Sequence, residues 1–342
     1  EIGIVEDDID IEDLIEEEQC VYTLTSGGYI KRTPASEYRA QGKGGKGNKS
    51  MSTKEEDNVN TVFTASTHDY IFFFTNTGKV YRKKGYQIPE AGKTAKGTNI
   101  VNILPVENGE SVSAMIATRA LENEDLFLMM VTRDGTVKRL SVSALRNIRN
   151  NGIRALNLDE GDELMAVLET DGSQHILIAT RDGYAIRFDE NDVRPMGRDA
   201  FGVRGIKLRE DDCVVGAVLA KDNMNVLTIT ENGLGKQTPV EEYRITGRGG
   251  MGIKNYDVTD KTGRIVGVKL VDGSEDLLAV TEKGIMIRTV VDAIRVTGRV
   301  AQGVYVMRFK EEGDRVISIA LAEKEQEEES AAEPTPDIQD LL

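Results

Sequence analysis

The sequence predicts an all-β disc of six equivalent units with about four short strands each, and three observations lead to it. A Thr-x-x-Gly turn recurs at Thr25 to Gly28, Thr75 to Gly78, Thr132 to Gly135, Thr180 to Gly183, Thr230 to Gly233 and Thr281 to Gly284. A glycine-and-basic stretch, Gln41-Gly42-Lys43-Gly44-Gly45-Lys46-Gly47, follows the first turn. Its Gly-(Lys/Arg)-x-x-x-Gly skeleton returns at Gly92 to Gly97, Gly197 to Gly202, Gly247 to Gly252 and Gly298 to Gly303, with a shorter copy over Arg146 to Gly152. The apolar runs between turn signals are mostly four to seven residues, too short for ordinary helices and right for blade strands. The period is about 50 residues, the range in which self-similarity means a propeller, solenoid or array.

Residues 1–18 hold ten acids and no bases among Ile, Val and Leu, and read as an acidic linker with some strand or short helical character. The repeat domain spans 19–322, with units starting near 19, 69, 126, 175, 225 and 276. In unit one, VYTLT alternates as a strand, Ser26-Gly27-Gly28 turns the chain and Tyr29 to Thr33 returns beside it. Asp-Gly and Asn-Gly end other copies of the turn, where glycine accepts the positive φ that a side chain resists. The returning strand ends in basic residues, as in YIKR, KVYR, TVKR, YAIR and IMIR. A connector then closes on an apolar-arginine pair: Tyr38-Arg39, Val193-Arg194, Tyr243-Arg244 and Ile294-Arg295. The glycine loop, a short strand, a polar turn such as Glu160-Gly161-Asp162 and a last apolar strand complete the unit. Residues 323–342 lose the period and hold eight acids and one base, a composition expected to stay disordered.

The net charge of −15 conceals a segregation. The two tails contribute −17, leaving the repeat domain near +2, and the six segments from turn glycine to closing glycine carry +15 between them by count. Equivalent repeats put equivalent segments on the same edge, so the charge is expected as a basic stripe suited to phosphate backbones. No stretch reaches the length of a bilayer span, and the acidic start has no leader-like pattern, so the expectation is a cytoplasmic chain with no membrane contact. Cys20 and Cys213 lie at different places in their repeats, and no disulfide is expected.

Several chemistries fail on spacing. GKGGKGNKS has Asn48 where a phosphate-binding P-loop requires lysine. His68 and His175 each stand beside a strand start without Cys or His partners at metal-ligand spacing, and no metal site is expected. No G-x-S-x-G elbow occurs, so catalysis by this chain alone is not expected. The glycine loops fit a different role: glycine lets backbone amides approach a phosphate, and lysine adds charge without base preference. For the weaker copies at Gly197 and Gly298, turning a corner between blades is an equally good reading.

The six units, the opening TLTSGGYIKRTPASEYRAQGKGGKG and the acidic tail together resemble the C-terminal DNA-wrapping domain of the bacterial DNA gyrase A protein, part of a type IIA topoisomerase. Gln41 to Gly47 is similar to the gyrase box, with Gly42 standing where the family has a basic residue. The resemblance covers about residues 1–322 and implies a six-bladed β-pinwheel, in which neighbouring blades exchange a strand. It implies binding, bending and positive wrapping of duplex DNA without sequence preference around a basic rim. The wrapped segment would be presented to a gyrase catalytic core, the rest of the A protein with the B protein in an A2B2 heterotetramer, for ATP-driven negative supercoiling. ATP and Mg2+ would act elsewhere in the enzyme, with no cofactor in this domain, and the isolated domain would be monomeric in a bacterial, nucleoid-associated setting.

The candidate DNA-contacting residues are Gln41, Gly42, Lys43, Gly44, Gly45, Lys46 and Gly47 of the box, with Lys31, Arg32 and Arg39 in the same unit. The later units add Arg82, Lys83, Lys84, Lys93 and Lys96, then Lys138, Arg139, Arg146 and Arg149, then Arg187 and Arg198, then Arg244 and Arg248, and Arg288 and Arg299. Two other readings stay open: the equivalent domain of topoisomerase IV, which binds DNA without strong wrapping, and a propeller that scaffolds acidic protein partners. The acidic tail reads either as a competitor of phosphate for the rim or as a solubilising segment.

Overall fold

The computed structural model describes residues 11–39, 59–119 and 121–324. Six antiparallel hairpins, one per repeat, carry the fold: β1 (Gln19–Thr25) with β2 (Tyr29–Pro34), β4 (Tyr70–Thr75) with β5 (Lys79–Lys84), and β8 (Phe127–Thr132) with β9 (Thr136–Ser141). The second half repeats the pattern with β12 (His175–Thr180) and β13 (Tyr184–Asp189), β16 (Asn225–Thr230) and β17 (Leu234–Pro239), and β20 (Glu275–Thr281) and β21 (Met286–Val290). Five of the turn threonines accept, on Oγ1, the amide four residues on at 3.1 Å, and every turn glycine has a φ between +83° and +95°. The Thr-x-x-Gly signature is therefore a local device in which one hydroxyl and one left-handed residue fix the reversal.

Each unit ends in a strand that returns beside its hairpin: β3 (Val59–Ser66), β7 (Val112–Thr118), β11 (Leu164–Thr170), β15 (Val214–Leu219), β19 (Ile265–Val271) and β23 (Val316–Glu323). In all six sheets this ladder shifts register next to the turn threonine, as between Phe74 and Thr75, and such bulges increase the local twist. These closing strands neighbour one another in sequence around the centre, and β23 lies beside β3, so the ring closes.

The outermost strand comes from elsewhere. Two-residue strands β6 (Thr98–Asn99), β10 (Ile153–Arg154), β14 (Val203–Arg204), β18 (Ile253–Lys254) and β22 (Val304–Tyr305) follow the glycine loops, yet each pairs with the hairpin of the preceding repeat. The sheets read β3-β1-β2-β6 and so on around the ring, while the sixth holds three strands among the described residues. The turn glycine fastens this exchange: the Gly135 carbonyl accepts the amides of Gly205 at 2.8 Å and Ile206 at 3.2 Å. A Cβ at Gly135, where φ is +91°, would stand 2.7 Å from the Ile206 oxygen, so no side chain is accommodated without separating the blades.

The hydrophobic cores lie between blades rather than within them. Phe72 and Phe74 of the second blade pack with Leu128, Met130 and Leu140 of the third. Cys20, Tyr22 and Leu24 of the first pack with Ile71 and Phe73 of the second. Central strands therefore bury both faces, which explains near-continuous apolar runs such as IFFF. Both cysteines are buried and free. Among the described residues no helix is long and apolar enough to cross a membrane.

The end of the segment expected as a linker is attached to the second blade. A 3-10 turn, Ile11–Leu14, precedes a stretch whose Ile15 carbonyl meets His68 Nε2 at 2.9 Å and whose Glu17 carboxylate pairs with Arg119. Thr67 donates its hydroxyl to the Glu16 carbonyl and its amide to the Glu18 carbonyl. His68 is thus engaged by this segment, and His175 Nδ1 meets Arg187 at 3.0 Å.

Candidate nucleic-acid interface

The closing strands line the centre, so the exchanged strands and the loops before them form the rim. A short 3-10 turn after each of the five later returning strands, such as Val142–Leu145 or Val240–Glu242, buries its first residue and aims the chain outward into the glycine loop. The closing glycine of that loop then lies flat on the preceding blade: a Cβ at Gly97, where φ is +91°, would stand 2.5 Å from the Ile30 oxygen. The opening glycines Gly92, Gly197 and Gly247 face open space instead. One glycine is there for a close approach, and the other leaves the loop surface bare.

The structure divides the expected site residues into two classes, and the division corrects the reading of the basic strand ends. Lys31 and Lys138 are buried, each with its ammonium surrounded by backbone carbonyls. Arg139 is buried against Glu190, with Nη2 to Oε2 at 3.2 Å, and stacks on Phe127. Arg187 is buried and donates to the Val240 and Tyr243 carbonyls. Arg32 donates to the Ile88 carbonyl at 3.0 Å, and Arg82 to that of Arg146 at 2.6 Å. Lys84 donates to Glu12 and the His68 carbonyl and sits over the Tyr70 ring, while Arg288 pairs with Asp276 at 2.8 Å. The partners of Lys31, Arg32, Arg82, Arg139 and Arg187 lie in the following repeat, so these basic strand ends fasten blade to blade, whereas Arg288 is exposed and pairs within its own hairpin.

The second class lies on the rim. Arg146, Arg149, Arg198 and Arg244 are exposed, and none of their side chains has a hydrogen-bond or ion-pair partner among the described residues. Lys96 is exposed over the Tyr29 ring at 4.0 Å, Lys83 is half-buried and Lys93 is half-buried on the same loop as Lys96. Arg248 and Arg299 lie along the surface, donating to the carbonyls of Asp192, Arg204 and Lys254. Arg39 ends a short helix, Ala35–Arg39. Gln41, Gly42, Lys43, Gly44, Gly45, Lys46 and Gly47 lie outside the described residues.

Sequence reasoning missed other rim cations. Arg194, Arg204, Lys207 and Arg295 are all exposed. Arg194 and Arg295 belong to the apolar-arginine pairs already recognised, and Arg204 ends an exchanged strand at the place that Arg154 and Lys254 hold in theirs. It also missed the apolar tips. Phe201 is 57 % exposed, Ile245 56 % and Val300 62 %, all on rim loops.

The comparisons with known proteins agree with this architecture. The family model described as "DNA gyrase C-terminal domain, beta-propeller" matches residues 21–66, 69–119, 127–171, 174–221, 225–272 and 275–323, one match per blade. The DNA gyrase A protein of Clostridium acetobutylicum is 48 % identical over 324 residues, covering 95 % of this chain and 39 % of that protein. The DNA gyrase A protein of Halalkalibacterium halodurans is 54 % identical over 327 residues, covering 96 % of this chain and 39 % of that protein. The chain thus spans about two fifths of the length of these curated relatives. Among solved structures, a C-terminal domain of DNA topoisomerase IV superposes with a TM-score of 0.75 at 27 % identity, covering 90 % of this chain and 94 % of that one. A DNA gyrase A C-terminal domain superposes with a TM-score of 0.72 at 27 % identity, covering 89 % and 99 %. With six family matches falling on six blades and about half of all residues shared with curated relatives, the chain belongs to the family of DNA gyrase A C-terminal β-propeller domains.

Proposed function

We propose that this domain binds duplex DNA around its rim without sequence preference, bends it and wraps it with a positive hand. In the whole enzyme it would present the wrapped segment to the catalytic core, formed by the rest of the A protein and by the B protein in an A2B2 assembly, for ATP-dependent negative supercoiling. The observation that carries this reading is the ring of rim loops bearing cations without ion-pair partners among the described residues, Lys96, Arg146, Arg149, Arg198 and Arg244, beside exposed glycine backbone. Charges spaced along a curved edge neutralise phosphates at successive positions, and bending a site of 20–30 bp costs of order 1–6 kcal/mol, which many such contacts offset together. The box Gln41 to Gly47 adds two lysines to the first unit.

The domain works without cofactor or metal on this reading, with ATP and Mg2+ used elsewhere in the assembly and the enzyme in the bacterial cytoplasm. The likeness to the topoisomerase IV domain supports a second reading, in which the disc holds DNA without strong wrapping.

The test is ligation of nicked circular DNA in the presence of the domain, followed by measurement of linking number after deproteinisation. Wrapping gives a positive shift that grows with protein, and Lys43→Ala with Lys46→Ala reduces it more than it reduces affinity. Binding without a shift selects the second reading. Absence of salt-sensitive binding refutes both.

A further inference from the structure

The third residue after each turn glycine alternates around the ring: Lys31, Tyr81, Lys138, Ile186, Lys236 and Ile287. The three lysines share one geometry. Lys31 Nζ donates to the carbonyls of Gly92 at 3.0 Å, Lys93 at 2.6 Å and Ala95 at 3.0 Å. Lys138 Nζ donates to Arg198 at 2.8 Å and Ala200 at 3.0 Å, and also to Ala155 at 2.8 Å. Lys236 Nζ donates to Gly298 at 2.9 Å, Ala301 at 3.0 Å and Arg299. An ammonium has three hydrogens, and each clasp supplies three carbonyl acceptors, which satisfies the buried charge. Each clasped loop is the Gly-(Lys/Arg)-x-x-x-Gly loop of the following repeat.

The N–H groups of Thr94 and Lys96, of Asp199 and Phe201, and of Val300 and Gln302 have no hydrogen-bond partner among the described residues. Two unpaired amides on one loop with a cation beside them offer an anion two donors and a charge, although the amide between them is bonded within the loop. Where Ile186 replaces the lysine, loop 247–252 lies over a hollow of about 250 Å³.

We propose that loops 92–97, 197–202 and 298–303 are preorganised cradles for DNA phosphodiester groups, with Lys31, Lys138 and Lys236 as the positioning residues that hold them in shape. This rests on the DNA-binding reading above. The loops over Tyr81 and Ile186 have no lysine clasp and form a second set, so clasped and unclasped loops alternate around the rim. Of the three cradles, 92–97 is the strongest, because it carries Lys93 and Lys96 and no acid, whereas 197–202 contains Asp199.

The test measures binding of a short mixed-sequence duplex by fluorescence anisotropy across a salt series for wild type, Lys31→Met, Lys96→Ala and the double variant. Lys31→Met is expected to lower the magnitude of the log–log salt slope by about 0.9 for each phosphate that is no longer neutralised. The effect of Lys96→Ala is expected to shrink in the Lys31→Met background, since an unclasped loop no longer places Lys96. An unchanged slope with additive losses overturns the cradle. If wild type itself lacks salt-sensitive binding, the DNA reading fails instead. Should Lys31→Met not fold, Lys236→Met with Arg299→Ala gives the same cycle at an independent clasp and is judged by the same outcomes.

Discussion

Arg139 is the sharpest place to separate a structural cation from a DNA-binding one. Its guanidinium is 3.2 Å from Glu190 Oε2, donates to the Val193 carbonyl at 3.3 Å and lies 3.9 Å from the centre of the Phe127 ring. Glu190 is 0 % exposed, and its other oxygen accepts the Gln174 amide at 2.7 Å. Replacing Arg139 with Met keeps much of the volume and the contact with Phe127 but leaves a buried carboxylate with one backbone donor. Breaking a buried pair in this way costs about 3–5 kcal/mol, because the surviving charge is uncompensated. Arg139→Met should therefore lose about 3–5 kcal/mol in urea unfolding followed by circular dichroism, and Glu190→Gln added to it should restore a large part of the loss, giving a coupling of about 1–3 kcal/mol. DNA affinity of the folded variant, measured well below its unfolding transition, should change less than about twofold, since a buried cation neutralises no phosphate. An unchanged urea midpoint together with a several-fold loss of affinity would refute the reasoning and return Arg139 to the interface.

Three further outcomes follow from the geometry. Gly135→Ala meets the Ile206 carbonyl and a left-handed backbone, so it should cost at least about 1–2 kcal/mol in thermal unfolding, and amide exchange should rise at Gly205 and Ile206. Burial pushes the Lys236 ammonium down to about 7, with Glu242 and Asp257 opposing and Arg299 assisting. Between about pH 7 and 10.5 the unfolded chain then binds the extra proton, so wild type should gain stability over Lys236→Met as pH rises, by up to about 1.4 kcal/mol per unit. The three-carbonyl clasp thus holds a full ammonium only below about pH 7, and a flat difference across that window would refute the shift. Phe201→Ala should reduce DNA bending, read by energy transfer between end-labelled duplex termini, more than affinity, since an exposed aromatic between rim cations is placed to act as an apolar wedge.

Much of the architecture is legible because the repeat writes its turns locally. A threonine hydroxyl, a left-handed glycine and flanking apolar runs all lie close together in the chain, and they place six hairpins without reference to anything distant. The charged residues are harder to read. Lysine and arginine are almost never fully buried unless paired, so YIKR and TVKR read as surface. The partners that bury Lys31 are carbonyls 61 to 64 residues away, and a carbonyl leaves no mark in the sequence. Arg146, Arg149 and Arg198 are legible as rim residues because glycine-rich loops have no strand to bury them. Strand exchange is not readable from the residues: Val203-Arg204 pairs as well in principle with its own hairpin as with its neighbour's, and only the family resemblance points to it.

The exchanged strands also set a timetable. A chain that emerges residue by residue from the ribosome has the hairpin of its first blade by Pro34, yet that sheet gains its outer strand only when Thr98–Asn99 appears. The second waits for Ile153–Arg154 and the third for Val203–Arg204. Each of these blades is thus finished one repeat late, and the growing end exposes an unpaired edge. Cutting the gene at a repeat boundary would not release a whole number of blades: a fragment ending at Thr170 would contain the closing strand of its third blade and lack the outer one. The unit copied in the sequence and the unit that can stand alone as a structure are offset, and that offset ties six small sheets into one cooperative ring.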